Sequence, residues 1–177
     1  KVISVLKRDY LTQGLNVTGF AEAICKYTGA KYCVAVANGT AALHLAVSAL
    51  EIPKNKEGIT SPNTFMATSN SLIYNNLKPI FADIDIKTYC ISPFEIRKQI
   101  NNNTKVILPV HFAGQPCEMN IIKSIADRNS LYVIEDAAHA IGSKYEDRTI
   151  VGNCKYSDMT IFSFHPVKTI TTGEGGA

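Results

Sequence analysis

Ser157-Asp-Met-Thr-Ile-Phe-Ser-Phe-His-Pro-Val-Lys-Thr-Ile-Thr-Thr-Gly-Glu-Gly-Gly-Ala177 is the stretch from which the rest of the chain is read. Residues 159–164 form an apolar run of strand length. A turn broken by Pro166 then presents Lys168, and a segment carrying Gly173, Gly175 and Gly176 follows. A lysine held beside a buried strand is a candidate for chemistry, because desolvation lowers the pKa of an amine and makes its nucleophilic form available.

Upstream, short apolar runs alternate with helical patterns. Residues 32–37, 58–61, 79–83, 105–110 and 131–134 read as strands, the last ending in Glu135-Asp136. Between them lie helices. Thr18 offers an N-cap for one that carries Phe20, Ile24 and Tyr27 and closes at Gly29; Leu43, Val47 and Leu50 mark a second, with His44 read as a packed core histidine. A third follows the loop 62–68, and Ser92-Pro93-Phe94-Glu95 is a capping box opening a fourth, with Ile96 and Ile100. Met119, Ile122 and Ala126 mark a fifth. Strand and helix in alternation predict an α/β fold, a mostly parallel sheet with helices on both faces. Ligands in such sheets bind beyond the carboxyl ends of the strands, where Asn38, Asp136 and Ser163 all fall.

These ends bring together the parts of a pyridoxal phosphate site: Lys168 as the amine for a Schiff base, Asp136 as a carboxylate for the pyridine nitrogen, and a phosphate cradle. The cradle is Asn38-Gly39-Thr40, where a strand feeds a helix N-terminus and leaves backbone N–H groups aimed at one point. Two rival chemistries are weaker. Ser163, His139 and Asp136 could be imagined as a hydrolase triad, but Phe162 and Phe164 flank the serine where a Gly-x-Ser-x-Gly elbow is needed. A dinucleotide module needs Gly-x-Gly-x-x-Gly after the first strand, and Asn38-Gly39-Thr40-Ala41 is not that.

Composition sets wider bounds. The 177 residues are 46% hydrophobic and 19% charged, with a net charge of +3 and no basic run, so no nucleic-acid footprint is present. Cys25, Cys33, Cys90, Cys117 and Cys154 are odd in number, without a CxxC pair or a zinc-like histidine spacing, which predicts reduced thiols, no metal site and a cytoplasmic location. No apolar run reaches membrane-spanning length, and no signal peptide is read at the N-terminus. The chain opens on Lys1 and closes on Gly175-Gly176-Ala177, and is expected to be a segment of a longer one.

Five motifs, in order, carry a resemblance: Asp9-Tyr-Leu-Thr-Gln-Gly14, Asn38-Gly-Thr-Ala-Ala-Leu-His44, Pro109-Val-His-Phe-Ala-Gly-Gln-Pro-Cys117, Glu135-Asp-Ala-Ala-His139 and Phe162-Ser-Phe-His-Pro-Val-Lys168. The chain resembles the DegT-like nucleotide-sugar aminotransferases, fold type I pyridoxal phosphate enzymes, and within them the branch that serves pseudaminic acid biosynthesis. The resemblance implies the following roles. Lys168 holds the cofactor covalently and shuttles the proton, Asp136 pairs with the ring nitrogen, and His139 contacts the phenolic oxygen. Thr40, Ala41 and Ser163 take the phosphate, and Phe65 stacks on the ring, with a core phenylalanine as the competing reading. Thr12, Gln13 and residues 111–115 lie toward the substrate.

The implied reaction is transamination of the 4-keto group of a UDP-linked 4-keto-6-deoxy-N-acetylhexosamine, with glutamate as donor; another nucleotide sugar such as a GDP-linked one is the alternative. A non-catalytic relative or an inactive fragment is the alternative of another class. The resemblance further implies a homodimer, and a large domain over residues 1–177 cut before its antiparallel strand and the C-terminal small domain. Loss of that strand is expected to leave the turn 38–42 at an unpaired edge.

Overall fold

The computed structural model describes residues 2–8 and 10–177; Asp9, the first residue of one motif above, lies outside the described residues. Among those described, five strands form one parallel sheet in the order β2-β1-β3-β4-β5: β1 (Glu57–Thr60), β2 (Lys78–Phe81), β3 (Thr104–Leu108), β4 (Tyr132–Asp136) and β5 (Met159–Ile161). The helices are α1 (Val2–Leu6), α2 (Leu15–Thr28), α3 (Gly39–Ala49), α4 (Ala67–Tyr74), α5 (Pro93–Gln99) and α6 (Met119–Asn129), with a 3-10 turn at Phe112–Gly114. The predicted α/β class with a parallel sheet is the class observed.

Side chains alternate across each strand, and the two faces have separate cores. Val106, Leu108, Ile134 and Ile161 face α3 and α4, meeting Leu43, Val47 and Leu72. Ile107 and Val133 face the opposite way, onto Ile96 of α5 and Ile122 and Ile125 of α6. This alternation sends neighbouring residues of β4 to opposite sides. Asp136 shares the α3/α4 side with Ile134, and Glu135 shares the other with Val133.

Four local readings are corrected. Gly14, not Thr18, stands at the N-cap of α2, because the helical pattern begins a turn earlier and encloses Thr18; Gly29 closes the helix as expected, at φ 86°. His44 is exposed rather than packed, on the outward side of α3 with its ring 5.4 Å from that of Tyr74. Half of the capping box forms: Ser92 Oγ accepts from the Glu95 N–H at 3.5 Å, whereas the Glu95 carboxylate turns outward to Lys98 and the Ser92 N–H donates to the Asp83 carbonyl. Residues 32–37 form no ladder, only a bridge at Val36.

That bridge also answers the expectation of an unpaired edge. Gly176 lies antiparallel between Val36 and Ser163, exchanging both backbone hydrogen bonds with Val36 at 2.9 and 3.0 Å. Phe162 and Ala177 exchange two more, and the Phe164 N–H donates to the Gly175 carbonyl. The glycines therefore fill the gap beside the turn at Asn38, and the turn is not left at an open edge.

Candidate active site

A cavity of about 430 Å³ opens at the carboxyl ends of the strands. Asn38, Gly39 and Thr40 line one side, Ser163 and Lys168 another, and Asp136, His139 and Phe65 complete it. Residues from 38 to 168 meet here because parallel strands end at one edge of the sheet.

The cradle is built by α3. Asn38, in extended backbone, caps the helix, its Oδ1 accepting from the Ala41 N–H at 2.8 Å. That bond occupies the Ala41 amide, and the cavity is lined by Gly39 and Thr40 rather than Ala41. The backbone here passes close to β5: a Cβ on Gly39 would stand 2.9 Å from the Ser163 Cβ. With a glycine there, the first turn of α3 and the Ser163 hydroxyl face the same space, at the positive end of the helix.

Asp136 is 5% exposed. Its Oδ2 accepts from the Thr68 hydroxyl at 2.6 Å and its Oδ1 from the Ala138 N–H at 3.1 Å. Both donors are neutral, so the geometry orients a buried carboxylate toward the cavity without supplying a counter-cation. A protonated pyridine nitrogen suits that position. The Lys168 Nζ stands 2.8 Å from the His139 Nε2. Burial, then the charge of Lys168, hold His139 below the ordinary histidine pKa, against an opposing pull from Asp136. The imidazole is thus a neutral acceptor for the amine. Phe65 is 72% exposed on the cavity rim, which removes the core reading for that ring. A hydrolase triad is not assembled, since His139 bonds Lys168 and Asp136 bonds Thr68.

Among the substrate-end residues, His111 and Phe112 both line the cavity, but the His111 side chain is fully buried and its ring nitrogens are committed elsewhere. Its Nε2 lies 2.7 Å from Glu135 Oε2, and its Nδ1 accepts from the Cys117 N–H. Gln13 lines a separate shallow groove with Lys7 and Arg8, and neither Thr12 nor Gln13 reaches the cavity. Thr68 and Glu135 are positioned around the site without having been singled out from sequence. For Glu135 a signal existed: a strand buried on both faces that ends in two carboxylates must send one of them away from the ligand.

The chain that builds this cavity is similar to known proteins. The profile of the DegT/DnrJ/EryC1/StrS aminotransferase family fits residues 1–177. The spore coat polysaccharide biosynthesis protein SpsC of Bacillus subtilis is 42% identical over 176 residues, 99% of this chain and 44% of that protein. Helicobacter pylori PseC, an aminotransferase involved in the biosynthesis of pseudoaminic acid, superposes with a TM-score of 0.93 at 34% identity, over 99% of this chain and 47% of its own. NtdA of Bacillus subtilis, solved with bound cofactor PMP, superposes with a TM-score of 0.86 at 36% identity, over 93% of this chain and 37% of its own. The chain spans less than half the length of each of these relatives. It belongs to the DegT/DnrJ/EryC1/StrS aminotransferase family.

Proposed function

We propose that the protein is a pyridoxal phosphate-dependent sugar aminotransferase that moves the amino group of glutamate to the 4-keto group of a UDP-linked 4-keto-6-deoxy-N-acetylhexosamine. The observation that carries the chemistry is the convergence of Lys168, Asp136 and the Gly39–Thr40 turn on one cavity. The likeness to PseC supports the choice of sugar and of pathway. Residues 1–177 belong, on this reading, to the cofactor-binding large domain of a homodimeric enzyme with a smaller second domain. Among the described residues no helix is long and apolar enough to cross a membrane.

Bound in the cavity, pyridoxal phosphate supplies an aldehyde that captures amines and a ring that accepts the electron pair left when a neighbouring carbon loses its proton. The chain does the rest. Lys168 would provide the amine that holds the group covalently, and its Nζ would be the atom that takes up and returns the proton. His139 accepts a hydrogen bond from that amine and fixes where it waits. Asp136, held by Thr68 and the Ala138 N–H, presents a negative charge to the ring nitrogen. Gly39, Thr40 and Ser163 offer N–H and hydroxyl donors to the phosphate, and Phe65 offers an aromatic face to the ring.

The test is an absorption spectrum of the protein with pyridoxal phosphate, beside Lys168→Ala. A visible band that needs Lys168 and is bleached by glutamate is the expected result; absence of any lysine-dependent band overturns the reading. Product mass after incubation with UDP-linked and GDP-linked 4-keto sugars then decides the sugar.

A further inference from the structure

We propose that Glu135 is the positioning residue of this site: from the far side of β4 it holds Asp136, the loop 110–117 and β5 in one fixed arrangement. The inference rests on the aminotransferase reading and deepens it.

Glu135 has a side chain that is 0% exposed, and it receives four hydrogen bonds, two on each oxygen. Oε2 accepts from His111 Nε2 and from the Tyr145 hydroxyl, both at 2.7 Å. Oε1 accepts from the Ser157 hydroxyl and from the Thr160 hydroxyl at 3.1 Å. Burial pushes the carboxyl up, but the bonds from His111, Ser157 and Tyr145 outweigh it and keep the group below its usual range, an anion at neutral pH.

The four donors come from three parts of the site's frame. His111 opens the loop whose Phe112 walls the cavity, and its tautomer is set: Nδ1 accepts from the Cys117 N–H, so Nε2 carries the proton that reaches Glu135. The same loop is bonded to the backbone of Asp136, whose N–H donates to the Pro109 carbonyl and whose carbonyl accepts from the His111 N–H. Ser157 and Thr160 bracket the start of β5, three to six residues before Ser163 and upstream of Lys168. Tyr145 brings in the segment bridged at Lys144 and Ile150. One carboxylate thus ties its chain neighbour Asp136 to the segments that carry Phe112 and Ser163, to neither of which it is hydrogen-bonded itself.

Reach is the property to test. Glu135→Asp withdraws both oxygens by one methylene and cannot serve all four donors. Glu135→Gln keeps an oxygen for His111 and Tyr145 and turns its NH2 toward Ser157 and Thr160, whose hydroxyls can reverse to accept. With the holoenzyme, glutamate as donor and a UDP-linked 4-keto sugar as acceptor, Glu135→Asp is expected to lose about 100-fold in kcat with KM little changed, the scale of an ångström-sized misplacement of reacting groups. Glu135→Gln should lose less than about fivefold, on the same argument. In the cofactor-free protein, 15N NMR should show His111 as the Nε2–H tautomer, with that hydrogen-bonded proton lost in Glu135→Asp and kept in Glu135→Gln. If Glu135→Asp does not fold, Tyr145→Phe removes one donor from the same oxygen and should lower kcat by at least about threefold, a fraction of the same loss. A folded Glu135→Asp or Tyr145→Phe with wild-type kcat overturns the proposal. A wild-type protein that captures no cofactor overturns the aminotransferase reading instead, and the NMR signature distinguishes that failure from this one.

Discussion

The Lys168 Nζ and the His139 Nε2 are 2.8 Å apart, so the amine read as nucleophile is held by a neutral imidazole rather than by a carboxylate. Burial is the larger cause of the lowered His139 pKa and the Lys168 charge the second. In Lys168→Met the second cause is gone and the opposing pull of Asp136 remains, so the His139 pKa should rise. An NMR titration of the ring protons measures it; an unchanged or lower value would contradict the pairing. The sign for stability follows. A histidine whose folded pKa lies below the ordinary value near 6.5 costs stability as pH falls through that value, because the unfolded chain takes up the proton first.

Thr68 is the only side chain donating to Asp136 among the described residues, at 2.6 Å and 68 positions away in sequence. Thr68→Val keeps the shape and deletes the donor, leaving a buried carboxylate oxygen short of a partner. The expected cost is about 1–3 kcal/mol in urea unfolding. Cofactor affinity should fall with it, read by spectral titration, since the carboxylate then has freedom to turn from the ring nitrogen. Full stability with unaltered affinity would show that Ala138 alone orients Asp136.

The sheet was legible because β3 and β4 carry the apolar runs Val106-Ile107-Leu108 and Val133-Ile134, buried on both faces, and such runs have few alternatives to a parallel interior. Residues 32–37 look equally strand-like in sequence, yet a ladder needs a partner, and among the described residues only Gly176 pairs with the segment, at Val36. Asp136 could be named because it ends β4, Ser163 and Lys168 because they follow the apolar run that holds β5, and Asn38 because it caps the helix after residues 32–37. Thr68 could not, since nothing distinguishes it in sequence from Thr64 until α4 is docked on the sheet. His44 failed for a related reason: helical spacing fixes which residues share a face, but His44 lies at the border of the buried face, and the packing of α3 against the sheet sent it to solvent.

Gly176 is required by close approach. A Cβ there would lie 2.4 Å from the carbonyl carbon and oxygen of Asn38 and 2.8 Å from the Gly39 nitrogen. These are backbone atoms of the anion cradle, with no flexible side chain to yield. Gly176→Ala must therefore displace either the 175–177 segment or the turn, and both loosen the cradle. We expect at least a tenfold weaker hold on pyridoxal phosphate, roughly 1.4 kcal/mol, measured by equilibrium titration, while α6 and the Ile122 core far from the turn keep native hydrogen-exchange protection. Wild-type affinity in Gly176→Ala would mean that the phosphate does not rest on this turn.

Glu135 makes acid sensitivity a local property of the β4 hub. Its folded pKa is depressed, so its four hydrogen bonds contribute stability in full above the ordinary glutamate value of about 4.3. That contribution declines as pH falls from there through the lower folded value, because the unfolded chain takes up the proton first and a protonated carboxyl cannot accept from all four donors. Glu135→Gln has no proton to gain at this position. Urea midpoints followed downward from pH 6 should therefore fall less steeply below about pH 4.3 in Glu135→Gln than in the wild type, with the two curves parallel above it. Curves parallel throughout would mean that Glu135 titrates as it does in the unfolded chain, and would sink the claim that its four donors hold a buried anion.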